Sequence, residues 1–130
     1  MIILTLRTDK PESESGLFDN EKQLDYISWE AHRQLAETIH LKIKELLDNQ
    51  KLDLDDIGAI VVYEGPGSFT GLRIGISVAN ALSYSLNVPI VGGRDEDWLT
   101  QGLKLIASSD NKTPIIPFYG SDAHITTPKK

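Results

Sequence analysis

The sequence predicts an α/β domain in which helices pack on a mixed β-sheet, and three observations carry that prediction. Ile2-Ile3-Leu4-Thr5-Leu6 is a short apolar, β-rich run at the start of the chain. Residues 31–48 place Leu35, Ile39, Ile43, Leu46 and Leu47 at spacings of three and four, which draws one apolar stripe along a helix. Ile60-Val61-Val62 is a continuous β-branched run, followed by a glycine-rich loop and a long apolar segment. A strand of that kind is buried on both faces, as in a parallel sheet.

The elements follow in order. After the first strand comes a polar stretch, Arg7 to Ser15, interrupted by Pro11. Gly16-Leu17-Phe18 forms a second strand that ends at the turn pair Asp19-Asn20. Residues 23–29 pair back as a third strand. The first helix, 31–48, ends at Asp48-Asn49-Gln50, and Leu41 lies on its water-facing side. Ile57 to Tyr63 is the fourth strand, and the second helix runs from the loop to about Leu86. Val88-Pro89-Ile90-Val91 reads as a fifth strand. Asp95 is placed to cap a third helix, with Glu96 and Asp97 in its first turn, where the helix dipole favours acids. That helix ends near Ala107. Ile115, Ile116 and Phe118 are expected to form a last strand beyond a polar loop. The order β-β-β-α-β-α-β-α gives a hairpin-rich start followed by βαβ units. One domain over residues 1–130 is expected, with 108–130 the least regular part.

Composition narrows the function. The 130 residues carry a net charge of −6, which disfavours solitary binding to a phosphate backbone. The densest basic cluster is Lys129-Lys130. The chain has no cysteine, so disulfides, thiolate metal sites and cysteine nucleophiles are excluded together. No apolar run reaches membrane-spanning length, and the N-terminus lacks a basic leader, so a cytoplasmic protein with no membrane association is expected.

Residues 64–75, Glu-Gly-Pro-Gly-Ser-Phe-Thr-Gly-Leu-Arg-Ile-Gly, hold the densest chemical signal. A Walker loop needs four residues between its first glycine and Gly-Lys, whereas Gly67 and Gly71 are separated by three and Leu72-Arg73 follows. A dinucleotide fingerprint needs a glycine five residues after Gly65, where Thr70 stands. The Gly-x-Ser-x-Gly elbow is also absent around Ser68, which reads instead as a helix N-cap. A strand-loop-helix retains a generic capacity for anions. His32 and His40 are eight apart, whereas a metal pair on one helix face needs four.

The second helix is the more telling feature. Arg73 is the only charged residue between Ser68 and Val88. Thr70, Arg73, Ser77, Asn80 and Tyr84 share a narrow polar sector, and most of the remaining circumference wants burial. Gly71, Gly75, Ala79 and Ser83 form a ridge of small residues at spacing four, which permits close approach of another backbone. The ridge packs on the chain's own sheet or on a partner helix. Leu41 of the first helix would extend the second kind of contact.

Gly65-Pro66-Gly67-Ser68-Phe69-Thr70-Gly71-Leu72-Arg73-Ile74-Gly75 resembles the signature of the TsaB (YeaZ) family. Leu54 to Val62, Val88 to Gly92 and His32 to Leu47 resemble the flanking segments, so the resemblance covers roughly residues 30 to 93. It implies a ribonuclease H-like fold of the actin-like ATPase (ASKHA) superfamily and a part in making threonylcarbamoyladenosine in tRNA. In that family TsaB is a non-catalytic partner, without a cofactor of its own. It pairs with TsaD, which holds the metal and transfers threonylcarbamoyl, and the ATPase TsaE joins them. The pairing surface is built from the first two helices, which also suits a homodimer when the chain is alone, and tRNA is reached through the complex. The residues carried over to this surface and signature loop are His32, Leu41, Gly65 to Arg73, Gly75, Ala79 and Ser83. Two departures stand out. Arg7 occupies the position where the family's first strand runs into an aspartate, and a cation there cannot coordinate magnesium. The chain also stops near where the family's second half-domain would begin. Two rival functions are a small nucleotide- or anion-binding enzyme using the Gly65–Gly71 loop and a degenerate homologue that only self-associates.

Overall fold

The computed structural model describes residues 1–31, 34–67 and 69–120, with only the backbone of Phe69. Five strands form one mixed sheet: β1 (Ile2–Arg7), β2 (Glu12–Asp19), β3 (Lys22–Glu30), β4 (Ile57–Gly65) and β5 (Ile90–Arg94). Their spatial order is β3-β2-β1-β4-β5. The β1-β2-β3 meander is antiparallel, and β4 and β5 continue it in parallel from β1. Three α-helices cover the sheet: α1 (Leu35–Asn49), α2 (Phe69–Leu86) and α3 (Trp98–Ile106). A 3₁₀ turn, Leu54–Asp56, leads into β4.

Alternation along the strands assigns the faces. Val61 lies beneath Gly102 of α3, and Tyr63 meets Trp98 of α3 edge-on with ring centres 5.8 Å apart. Ile60 and Val62 therefore point to the other face, with Leu4 and Leu6 beside them in register. There α2 packs on β4 and β1 while α1 packs on β2 and β3. Every residue from Ala59 to Tyr63 is buried, as a central parallel strand requires. Each large aliphatic side chain buried there contributes about 1.5–3 kcal/mol.

The architecture agrees with the sequence, and several boundaries move. The second strand extends back to Glu12, because Ser13 and Ser15 are buried under the helices despite their polarity. The first helix begins at Leu35, four residues later than the apolar period suggests. The fifth strand starts at Ile90. Val88 is still tied to the end of α2, its N–H bonding the Ser83 carbonyl, and proline at 89 has no N–H to give a ladder. Asp95 is not a helix cap: it sits at φ 64 and donates its N–H to the Gly65 carbonyl, and α3 starts three residues later. Glu96 and Asp97 accordingly precede α3 instead of filling its first turn.

Residues 115–118 form no strand among the described residues. They belong to an irregular segment, 111–118, that is tied to β5, α2 and β4. The Asn111 carbonyl accepts the Ile90 N–H, and the Asn80 side chain bonds both backbone groups of Ile115, at 2.8 Å and 3.0 Å. The Phe118 N–H ends on the Glu64 carbonyl at 2.8 Å.

Candidate partner interface

The glycine-rich loop is assembled from the ends of three elements. Gly65 has a φ of 139, and the Phe118 carbonyl occupies the place its side chain would take. Only glycine satisfies both conditions. The Gly65-Pro66 peptide is cis, and the Tyr63 hydroxyl donates to the Pro66 carbonyl at 2.6 Å. On the other side, the Thr8 hydroxyl donates to the Gly71 carbonyl at 2.6 Å. The Asp9 side chain packs under Gly67.

Arg7 lies within this assembly. Its Nε stands 2.8 Å from Asp9 Oδ1, and its guanidinium stacks 3.9 Å above the centre of the Tyr63 ring. Burial alone would lower the Arg7 pKa; the bond and charge of Asp9, with Tyr63 and Glu14, raise it above the usual arginine value. Burial also raises the Tyr63 hydroxyl. The donor set at the end of β1 is thus a guanidinium, a committed carboxylate and a threonine. Those residues do not fit a magnesium ion, which needs several free oxygen ligands.

The ridge of small residues turns inward. Gly75 touches Thr8 so closely that a Cβ would collide with the Thr8 hydroxyl. Ala79 is fully buried, and buried Ser83 donates to the Val88 carbonyl at 2.6 Å. The expectation that Gly75, Ala79 and Ser83 meet a partner helix is therefore corrected: they set the distance between α2 and the chain's own sheet. Leu72 is likewise buried. Thr70 and Arg73 are exposed, as are Ser77, Ala81 and Tyr84. Ser68, the side chain of Phe69 and His32 lie outside the described residues.

What remains open is a two-helix layer. Both helices follow strands that run the same way, so α1 and α2 are parallel. Ile74, Val78 and Leu82 line the flank of α2 that faces α1, each half-buried. At the N-terminal ends of the helices a cleft of about 490 Å³ is lined by Lys10, Pro11, Leu35, Thr70 and Ile74 among others. At the other end a cleft of about 510 Å³ is lined by Ile43, Leu47, Leu54 and Leu82, with His40, Lys44, Asp48, Asp53 and Asp55 around them. Leu41 is 65% exposed and Tyr84 90% exposed on the same layer. The wheel read from sequence located the polar sector of α2 but missed this flank, because only the position of α1 distinguishes Ile74-Val78-Leu82 from the rest of the apolar surface.

The family model described as "TsaD: tRNA N6-adenosine threonylcarbamoyltransferase" matches residues 29–121. The chain belongs to this family. A tRNA N6-adenosine threonylcarbamoyltransferase of Geotalea daltonii is 38% identical over 94 residues, 72% of this chain and 27% of the relative. A tRNA threonylcarbamoyladenosine biosynthesis protein TsaB of Buchnera aphidicola is 48% identical over 50 residues, 38% of this chain and 24% of the relative. Among solved structures, YeaZ from Pseudomonas aeruginosa aligns with a TM-score of 0.67 at 29% identity, covering 72% of this chain and 44% of that one. The chain is of the TsaB/YeaZ type, and its fold is of the ribonuclease H-like, ASKHA type. It spans about a quarter of the length of these curated relatives.

Proposed function

We propose that this chain is a non-catalytic partner subunit in the formation of threonylcarbamoyladenosine on tRNA, and that it pairs through α1 and α2 with a TsaD-type catalytic subunit. The observation that carries this reading is the exposed two-helix layer, with an apolar flank at Ile74, Val78 and Leu82 beside Leu41 and Tyr84. Apolar side chains left at the surface side by side on two neighbouring helices suit a partner site. Membership of the family supports the choice of partner. The signature loop acts as the support of α2: it anchors the helix to β1 through Thr8 and Gly71. The arginine in place of the acid at the end of β1 supports a subunit that leaves chemistry to its partner. In this reading a TsaE-type ATPase joins the pair, tRNA is met through the assembled complex in the cytoplasm, and residues 1–130 act as one domain. The layer also suits a homodimer of the isolated chain.

The test is reconstitution with the TsaD homologue from the same source. The two chains should co-elute, and tRNA modification by the mixture should depend on both. Separate elution of two well-folded chains would reject the pairing. Ala81→Glu supplies the control. Ala81 is exposed on α2, so the variant should fold normally, and a carboxylate buried in the joined surface should abolish co-elution.

A further inference from the structure

Ser13 and Ser15 stand two residues apart on the same face of β2, but only one of them is satisfied. Ser15 donates its hydroxyl to the Thr5 carbonyl at 2.8 Å. Ser13 is fully buried, and its Oγ has no hydrogen-bond partner among the described residues. A buried hydroxyl left without a partner is costly. Ser13 lines the cleft of about 490 Å³ at the N-terminal ends of α1 and α2. The other polar groups of that cleft divide into used and unused. The Thr8 hydroxyl is committed to the Gly71 carbonyl, and both Asp9 oxygens are taken by Arg7, at 2.8 Å and 3.4 Å, which also offsets their charge. Lys10 is half exposed and stands 3.7 Å from Glu14, a loose pairing. The exposed Thr70 hydroxyl has no partner among the described residues. Thr70 and Gly71 belong to the first turn of α2, and α1 opens at Gln34 without a side-chain cap. Backbone N–H groups and helix dipoles at two such ends favour negative charge. The unused groups are thus all able to donate. The walls around them, Pro11, Ala31, Leu35 and Ile74, are hydrocarbon.

We propose that this cleft binds an aliphatic carboxylate. Its oxygens accept from the Ser13 hydroxyl, the Lys10 ammonium and the first-turn N–H groups of α2, and its hydrocarbon lies against Leu35 and Ile74. A phosphate would use the same donors, but it gains nothing from the apolar walls and brings a second charge that Lys10 alone does not balance. An amine would meet donors and the committed Asp9. The carboxylate comes from a free small acid or from an Asp or Glu side chain of a protein that covers the helices; the recognising chemistry is the same. The inference stands whether or not a TsaD-type subunit is the partner of this chain.

The test is a titration of the full, isotope-labelled chain with acetate, butyrate and inorganic phosphate at constant ionic strength, followed by amide chemical shifts. Butyrate should give saturable shifts at Ser13, Leu35, Thr70 and Gly71, and it should bind at least ~threefold tighter than acetate because its extra methylenes reach the apolar walls. Lys10→Ala and Ser13→Ala should each weaken butyrate at least ~tenfold. Lys10 is half exposed, so its variant should keep the native melting temperature. Ser13→Ala removes a hydroxyl without a partner, so the free variant should melt no earlier than the native chain, and butyrate should raise its melting temperature less. No saturable shifts with butyrate, phosphate binding as tight as butyrate, or equal butyrate affinity in Lys10→Ala would each overturn the proposal. So would a free Ser13→Ala chain that melts well below the native one, since its hydroxyl would then be satisfied within the protein. Titrating the TsaD homologue with and without saturating butyrate separates the two sources. Competition identifies a partner's side chain, and unchanged affinity identifies a free acid.

Discussion

Gly75 shows how one residue's role depends on what lies across from it. The spacing of Gly71, Gly75, Ala79 and Ser83 was legible in the sequence, but what it faces was not, because Thr8 is brought to Gly75 by the sheet and not by chain proximity. With Thr8 in contact, Gly75→Leu should prevent folding, and Gly75→Ala should cost about 1–3 kcal/mol in thermal or urea unfolding. Any folded fraction of the alanine variant should bind partners normally. Tyr26 gives a second prediction at this scale. Its hydroxyl donates to Glu14 at 2.7 Å, and its pKa is raised well above 10.0, first by burial and then by that bond. The unfolded chain would release this proton near pH 10 while the folded chain keeps it. Its contribution to stability is therefore intact below about pH 10 and is lost as the pH rises further. The melting temperature should hold through neutral pH and drop above that point. Tyr26→Phe should cost about 1 kcal/mol at neutral pH and flatten the alkaline drop. An unchanged slope in the variant would assign the alkaline transition elsewhere, with Tyr63 the next group raised by burial.

Among the elements, β1, β4, α1 and α2 were readable because their patterns are strong: a β-branched run buried on both faces, and apolar stripes at spacings of three and four. The segment 111–118 was not. Its Ile115, Ile116 and Phe118 look like strand residues, but Pro114 and Pro117 remove two N–H groups from any ladder. Its hydrogen bonds go instead to Asn80, Ile90 and Glu64, partners that no local pattern marks. The Arg94 guanidinium completes the contact, bonding Glu64 at 2.8 Å and stacking 3.9 Å from the centre of the Phe118 ring. Asn80 should therefore act as the fastening of this segment to α2. In Asn80→Ala the amide of Ile115 should exchange with solvent at least ~tenfold faster, a change matching the loss of one or two buried hydrogen bonds. The amides of α1 should be unaffected. Equal exchange at Ile115 in both proteins would show that the segment is held by other contacts.

At the scale of the whole molecule, the sheet β3-β2-β1-β4-β5 serves as a platform that holds two parallel helices side by side. The signature loop makes this possible by fixing where α2 leaves β4. The order of strands and helices followed from sequence; the open layer did not, since exposure of Ile74, Val78 and Leu82 depends on how far α1 stands from α2. On the proposed reading this layer binds a TsaD-type subunit. Isothermal titration calorimetry of the TsaD homologue into the chain tests it most directly. Saturable one-to-one binding by the native chain, weakened at least ~tenfold by Ala81→Glu in a variant of unchanged melting temperature, is the predicted result. No heat of binding with two folded proteins, or equal affinity for the native chain and Ala81→Glu, would contradict it.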